Sequence, residues 1–133
     1  MVIPLKSNSH CMSTGAVYVI KCKKCNLFYI GETGKMVKQR ILEHIYGIKY
    51  FKNNSIKCLI RYDSCSETAI HFAPADHEIN RDFQFFIFKS GLIDSSIRKS
   101  TESELINLFL ILNVPIINKK IPNHKYIKTL SFI

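Results

Sequence analysis

Acidic residues are scarce in this chain. Its 133 residues hold 10 Asp and Glu against 19 Lys and Arg, a formal net charge of +9. A surplus of that size on a small domain sets up a positive field over much of the surface, which draws polyanions. Nucleic acid is the first candidate partner and an anionic membrane surface the second. Long hydrophobic runs are missing too. The stretch Leu108 to Leu112 falls far short of the roughly 20 apolar residues a membrane-spanning helix needs. The opening Met1-Val2-Ile3-Pro4-Leu5-Lys6 lacks the apolar core of a signal peptide, so the chain is expected to stay in a reducing compartment. The five cysteines are then not expected to pair as disulfides, and five is an odd number. Metal ligation is the use to test first.

What is present suits one folded domain. A chain of this length buries roughly two-thirds of the surface its unfolded form exposes, and 47% hydrophobic residues supply a core. No internal repeat or linker stands out. Residues 1–14 read as an irregular lead-in, 15–120 as the domain and 121–133 as a basic tail. Ala16 to Lys21 and Leu27 to Glu32 are β-branched and aromatic, as strands are, and the short link Cys22-Lys23-Lys24-Cys25-Asn26 predicts an antiparallel hairpin. Thr33 to Gly47 reads as a helix, with Val37, Ile41, Ile45 and Ile48 near helical spacing. Residues 47–63 are polar and read as a loop. Ser64-x-x-Glu67 resembles a capping box opening a short helix through Phe72. Phe83 to Lys89 predicts a further strand. Thr101-x-x-Glu104 is a second capping-box pattern, placing a helix from about Glu102 to Leu112 before Pro115.

A constellation carries the chemistry. Tyr18 and Tyr29 lie on the two predicted hairpin strands, and Arg40 and His44, four apart, share one helix face. Glu102 and Asn118 follow far downstream. Phosphodiester hydrolysis needs these residue types: a carboxylate to hold a metal ion, a cation to neutralise charge growing on phosphorus, and a phenol or imidazole to move protons. Each residue also has a plain structural use. The tyrosines suit a core rim, Arg40 and His44 a solvated helix face, and Asn118 a turn. Lys35, Lys38, Arg61, Lys119 and Lys120 either contact phosphates without reading sequence or form an ordinary solvated face.

Ala16-Val17-Tyr18 followed by Tyr29-Ile30-Gly31 resembles the paired elements of the GIY-YIG endonucleases. Arg40-x-x-x-His44, Glu102-x-x-Leu105-Ile106 and Pro115-x-x-Asn118 resemble the family's later elements in order, across residues 16–118. One departure is Ala16, which stands where the family has glycine, with Gly15 one place earlier. The resemblance implies an α/β (α+β) fold with a small central antiparallel three-stranded sheet flanked by helices. It also implies a metal-dependent endonuclease acting on double-stranded DNA. In that scheme Tyr18 takes or relays the proton of attacking water, with its pKa lowered by Arg40 or the metal, and Arg40 grips the scissile phosphate. His44 orients the water, assists proton transfer or holds the phosphate, Tyr29 belongs to the same catalytic set, and Asn118 braces the site. Glu102 holds Mg²⁺ or Mn²⁺, and Glu104 is its competitor, with a capping role open to it.

Within the family, the endonuclease domains of Penelope-like retroelements are the nearest in flavour. They share a CxxC between the tyrosine elements, here Cys22 and Cys25, a downstream histidine pair, here His71 and His77, and the stretch Gly31-Glu32-Thr33-Gly34-Lys35. This implies a structural zinc ion on those four ligands, nuclear residence, a role in element integration and a reverse transcriptase domain of the same element as partner. No small-molecule cofactor and no membrane partner is expected. A catalytically silent, zinc-stabilised DNA-binding module is the alternative. A zinc-stapled protein-interaction domain is a further one. Cys11, Cys58 and Cys65 receive no role, and His10 is a weak alternative ligand.

Overall fold

The computed structural model describes residues 2–4, 10–61 and 67–119, with backbone alone for 2–4 and 54–61. Four strands form one sheet in the order β1-β4-β2-β3. They are β1 (Val2–Pro4), β2 (Thr14–Cys22), β3 (Leu27–Met36) and β4 (Phe83–Lys89). β2 pairs antiparallel with both β3 and β4, which gives the expected three-stranded antiparallel core. The stretch read as an irregular lead-in adds β1, parallel to β4. Six consecutive residues of β2, Gly15 to Ile20, are buried, because helices cover both faces of the central strand.

Helix α1 (Val37–Arg61) and the short α2 (Glu67–Phe72) pack one face over Ala16, Tyr18, Ile20, Phe83, Phe85 and Ile87. Helix α4 (Ser95–Ile111) packs Leu105 and Ile106 on the other face, against Val17, Val19 and Ile30. A single turn, α3 (Ile79–Asp82), leads into β4. Among the described residues no helix is long and apolar enough to cross a membrane.

Three element boundaries differ from expectation. The first helix starts at Val37 rather than Thr33, because β3 keeps pairing with β2 as far as Thr14↔Met36. Its first N–H groups then find Ser13 O and Cys11 O, at 2.8 and 2.7 Å, and that satisfies donors a helix start leaves open. The same helix runs through the predicted loop 47–63 as far as Arg61. Ile48 and Phe51 continue its buried stripe, while Lys49, Tyr50 and Asn53 are exposed, so the polar residues that suggested a loop line the outer face. Helix α4 opens at Ser95, where Asp94 caps it by accepting from Ser96 N at 2.8 Å. Thr101 is therefore mid-helix, its hydroxyl donating to Ile97 O at 2.8 Å, and Glu104 belongs to no capping box. Ser64, the proposed cap of α2, lies outside the described residues.

Two glycines are dictated by close approach. Gly15 sits at a bulge with φ +61, where an added Cβ would come within 2.4 Å of the Leu92 carbonyl oxygen. The glycine this strand needs is thus at 15, and Ala16 is simply buried beside it. Gly31 lies opposite Tyr18, and a Cβ there would meet the phenol at 2.5 Å.

Candidate active site and metal cluster

Tyr18 sits at the middle of β2, fully buried, with its ring stacked on Phe85 at 4.7 Å. Its hydroxyl meets two side chains of α1. Arg40 Nε donates to Tyr18 Oη at 3.0 Å, and His44 Nε2 lies 2.7 Å from the same oxygen. The four-residue spacing places both on the helix face that covers the strand. His44 is buried, and its Nδ1 lies 2.9 Å from Thr68 Oγ1 of α2. Tyr29, on β3, packs edge-on against His44 with ring centroids 5.9 Å apart.

Charge follows from this packing. Burial raises the Tyr18 phenol well above its ordinary value; Arg40 pulls it down and is outweighed. The expected lowering by a cation therefore does not prevail in the free protein. Burial also raises Tyr29, and the carboxylates Glu67, Glu102 and Glu32 add to it. His44 is pushed down to about 3, chiefly by burial and then by Arg40, so its imidazole is neutral at physiological pH. Arg40 also donates from Nη1 to Glu43 Oε1 at 3.1 Å, and Glu43 in turn pairs with Lys35.

Glu102 arrives from the opposite helical layer, close enough that its charge raises both phenols. Its own carboxyl is pushed up to about 7 by burial and by the charge of Glu32, only partly offset by Lys99. A half-buried acid beside a second acid is a donor set that a divalent cation would relieve. Arg98, one turn before Glu102, holds Glu32 with Nε 3.6 Å from Oε1, and its Nη1 donates to Leu92 O and Ile93 O. Glu104 is exposed. Asn118 uses both ends of its amide on one residue of β3, accepting from Ile30 N at 2.9 Å and donating to Ile30 O at 2.8 Å. It extends the edge of β3 as a further strand residue would.

At the far end of the hairpin, Cys22, Cys25, His71 and His77 bring their ligand atoms within 4.8 Å of one another. Cys25 Sγ lies 3.4 Å from His77 Nε2, and His77 Nδ1 is held by Asp76 at 3.0 Å. His71 Nε2 is buried with no hydrogen-bond partner among the described residues, a cost that a bound cation would remove. Two thiols and two imidazoles at this separation can hold a tetrahedral metal ion. Lys52 of α1 ties the loop that bears His77, donating to Ala73 O, Pro74 O and His77 O.

The structure thus gathers Tyr18, Tyr29, Arg40, His44 and Glu102 around one centre, and the four proposed zinc ligands at another. Lys35 joins the first through Glu43; Lys38 and Lys119 are exposed, and Lys119 N donates to Glu67. The Arg61 side chain and Lys120 lie outside the described residues, as do the side chains of Cys58 and Cys65. Glu32, Glu43 and Thr68 went unassigned in the sequence. Glu32 stands in the Gly31–Lys35 stretch and Glu43 between Arg40 and His44, while Thr68 has no local signal, because only the docking of α2 brings it to His44.

No curated protein and no solved structure matches the chain significantly. The model of the GIY-YIG catalytic domain matches residues 14–109, most of the chain and all the side chains just described around Tyr18. With the tyrosines, the arginine and histidine of α1 and the glutamate of α4 converging as they do, this chain belongs to the GIY-YIG catalytic domain family, a family of nucleases.

Proposed function

We propose that the protein is a metal-dependent endonuclease that hydrolyses phosphodiester bonds of duplex DNA. The observation that carries this is the hydrogen-bonded set Arg40–Tyr18–His44 lying within electrostatic range of Glu102. In the free protein the Arg40 side chain covers the Tyr18 hydroxyl and leans on Glu43. A substrate phosphate offers Arg40 two oxygens in place of the single Glu43 oxygen it holds, the other being taken by Lys35, and its planar fork is suited to that exchange. Turning onto the phosphate, Arg40 uncovers Tyr18 and neutralises the charge that grows on phosphorus.

Tyr18, neutral because it is buried, acts as a relay. It takes a proton from attacking water while passing its own to the neutral His44 Nε2. Glu102, helped by Glu32 nearby, would hold Mg²⁺ or Mn²⁺, which supplies Lewis-acid stabilisation of the phosphate when bound. Together these effects must remove on the order of 20 kcal/mol of barrier. Tyr29 closes the imidazole from the side, and Asn118 fixes the edge of β3 beneath it.

The Cys22, Cys25, His71 and His77 cluster is read as a structural zinc site joining the hairpin turn to α2. That cluster, with its CxxC between the tyrosine elements and its histidine pair downstream, supports kinship with the nucleases of Penelope-like retroelements. Element integration in the nucleus, with a reverse transcriptase domain of the same element as partner, follows from that kinship. The test is nicking of supercoiled plasmid with Mg²⁺ beside Glu102→Ala and Arg40→Ala. Nicking lost in both variants with DNA binding retained supports hydrolysis. Unmutated protein that binds duplex and never nicks it gives the silent binding module instead.

A further inference from the structure

Two tautomers of His44 fit the distances around Tyr18, and the need to satisfy the phenol's hydrogen chooses between them. A guanidinium has no acceptor, so Tyr18 Oη must accept from Arg40 Nε. Tyr18 is fully buried, and of the side chains that meet Oη among the described residues only His44 Nε2, at 2.7 Å, can accept the phenol's own hydrogen; the other tautomer would leave that hydrogen buried and unpaired. Nε2 must therefore carry a lone pair. A neutral ring with Nε2 bare has its hydrogen on Nδ1, and Nδ1 faces Thr68 Oγ1 at 2.9 Å. Thr68 is itself fully buried on α2, where its neighbours Ala69 and Phe72 pack into the core, so the oxygen is held in place.

We propose that Thr68 is a positioning residue for hydrolysis: its hydroxyl oxygen locks His44 in the Nδ1–H tautomer, so that Nε2 is the terminal acceptor of the Tyr18 proton. This rests on the hydrolytic reading above. In the step itself the water O–H bond breaks and its hydrogen moves to Tyr18 Oη. The Tyr18 hydrogen moves to His44 Nε2, the water oxygen bonds to phosphorus, and the bond from phosphorus to the leaving sugar oxygen breaks, that oxygen keeping the electron pair and taking a proton from solvent water. His44 is left as an imidazolium whose Nδ1–H is still donated to Thr68, and it returns its extra proton to solvent. With the tautomer reversed, Nε2 would carry a hydrogen and the relay would have no exit.

The test combines ¹⁵N spectroscopy of the histidine rings in the full chain with plasmid nicking by Thr68→Val and Thr68→Ser. In the unmutated protein, His44 Nδ1 is expected with the shift of a protonated nitrogen and Nε2 with that of a bare one. Thr68→Val keeps the shape and removes the oxygen. It should yield a mixed or reversed tautomer and lower kcat about 10- to 100-fold with KM little changed, the range seen when a histidine loses its orienting partner. Thr68→Ser should restore both. An unmutated protein with Nε2 protonated overturns the proposal whether or not the valine variant folds. So does a folded Thr68→Val protein with the original tautomer and full kcat. Unmutated protein with the expected tautomer and no nicking overturns the hydrolytic reading instead, and the proposed role with it.

Discussion

At the residue scale, the decisive contest is between burial and charge. Glu102 shows it best. Its carboxyl is raised from 4.5 to about 7, so the folded protein keeps that proton over a range where the unfolded chain has lost it. Stability must therefore fall as pH rises from about 4.5 to 7, and the penalty is fully present above that window. Glu102→Gln removes it. The variant should gain about 1 kcal/mol at pH 8 after allowing for solvent screening, gain little at pH 4, and lose nicking. Urea denaturation at the two pH values checks the first half. The same proton must leave before a cation binds, so Mg²⁺ affinity should strengthen as pH rises through about 7, which calorimetry would follow. Gly31 gives a steric counterpart. A methyl group there would stand 2.5 Å from the Tyr18 phenol, so Gly31→Ala should cost about 1–3 kcal/mol and displace the hydroxyl of the proposed relay. A melting curve and a nicking assay on that variant read both effects.

At the element scale, α2 and the edge of β3 do more than fill space. Helix α2 carries Thr68 against His44 and, three residues on, His71 into the Cys/His cluster. Stripping metal from that cluster should lower Tm steeply, since structural zinc sites contribute on the order of 10 kcal/mol to folding. A melt with and without chelator, alongside metal analysis, tests this; an unchanged Tm would refute the zinc reading. Asn118→Ala removes both hydrogen bonds to Ile30 and should destabilise the protein by about 1–3 kcal/mol, read by urea denaturation.

At the scale of the whole molecule, the net charge of +9 becomes a binding property only where cations converge. Lys35 and Arg40 share Glu43, so a phosphate entering that patch replaces one carboxylate shared by two cations. With Lys38 counted beside them, log K for duplex binding should fall against log salt with a slope of about −3 or steeper. A fluorescence anisotropy titration across salt concentrations measures it. Binding insensitive to salt would leave the charge without a role in DNA recognition.

The hairpin, the GIY-YIG elements and the CxxC were legible in the linear chain because each rests on residues close together in sequence; the meeting of Cys22, Cys25, His71 and His77, expected from the resemblance, is made by the fold. Alternating β-branched and aromatic residues make β2 and β4, and a four-residue interval puts Arg40 and His44 on one face. Helix limits were less legible. Thr-x-x-Glu looks alike at a helix start and in its interior, and an outer face as polar as that of α1 reads as a loop until Ile48 and Phe51 find the sheet beneath them.

The order and spacing of residues along the chain thus determined which groups were available for catalysis and for metal. Only tertiary packing decided their state. It buried Tyr18 so that Arg40 cannot ionise it, set Glu32 close enough to raise Glu102, and brought Thr68 to the imidazole. The reason is physical: desolvation and charge interaction depend on distances in space, and residues 18, 68 and 102 acquire theirs only when the sheet and its two helical layers close.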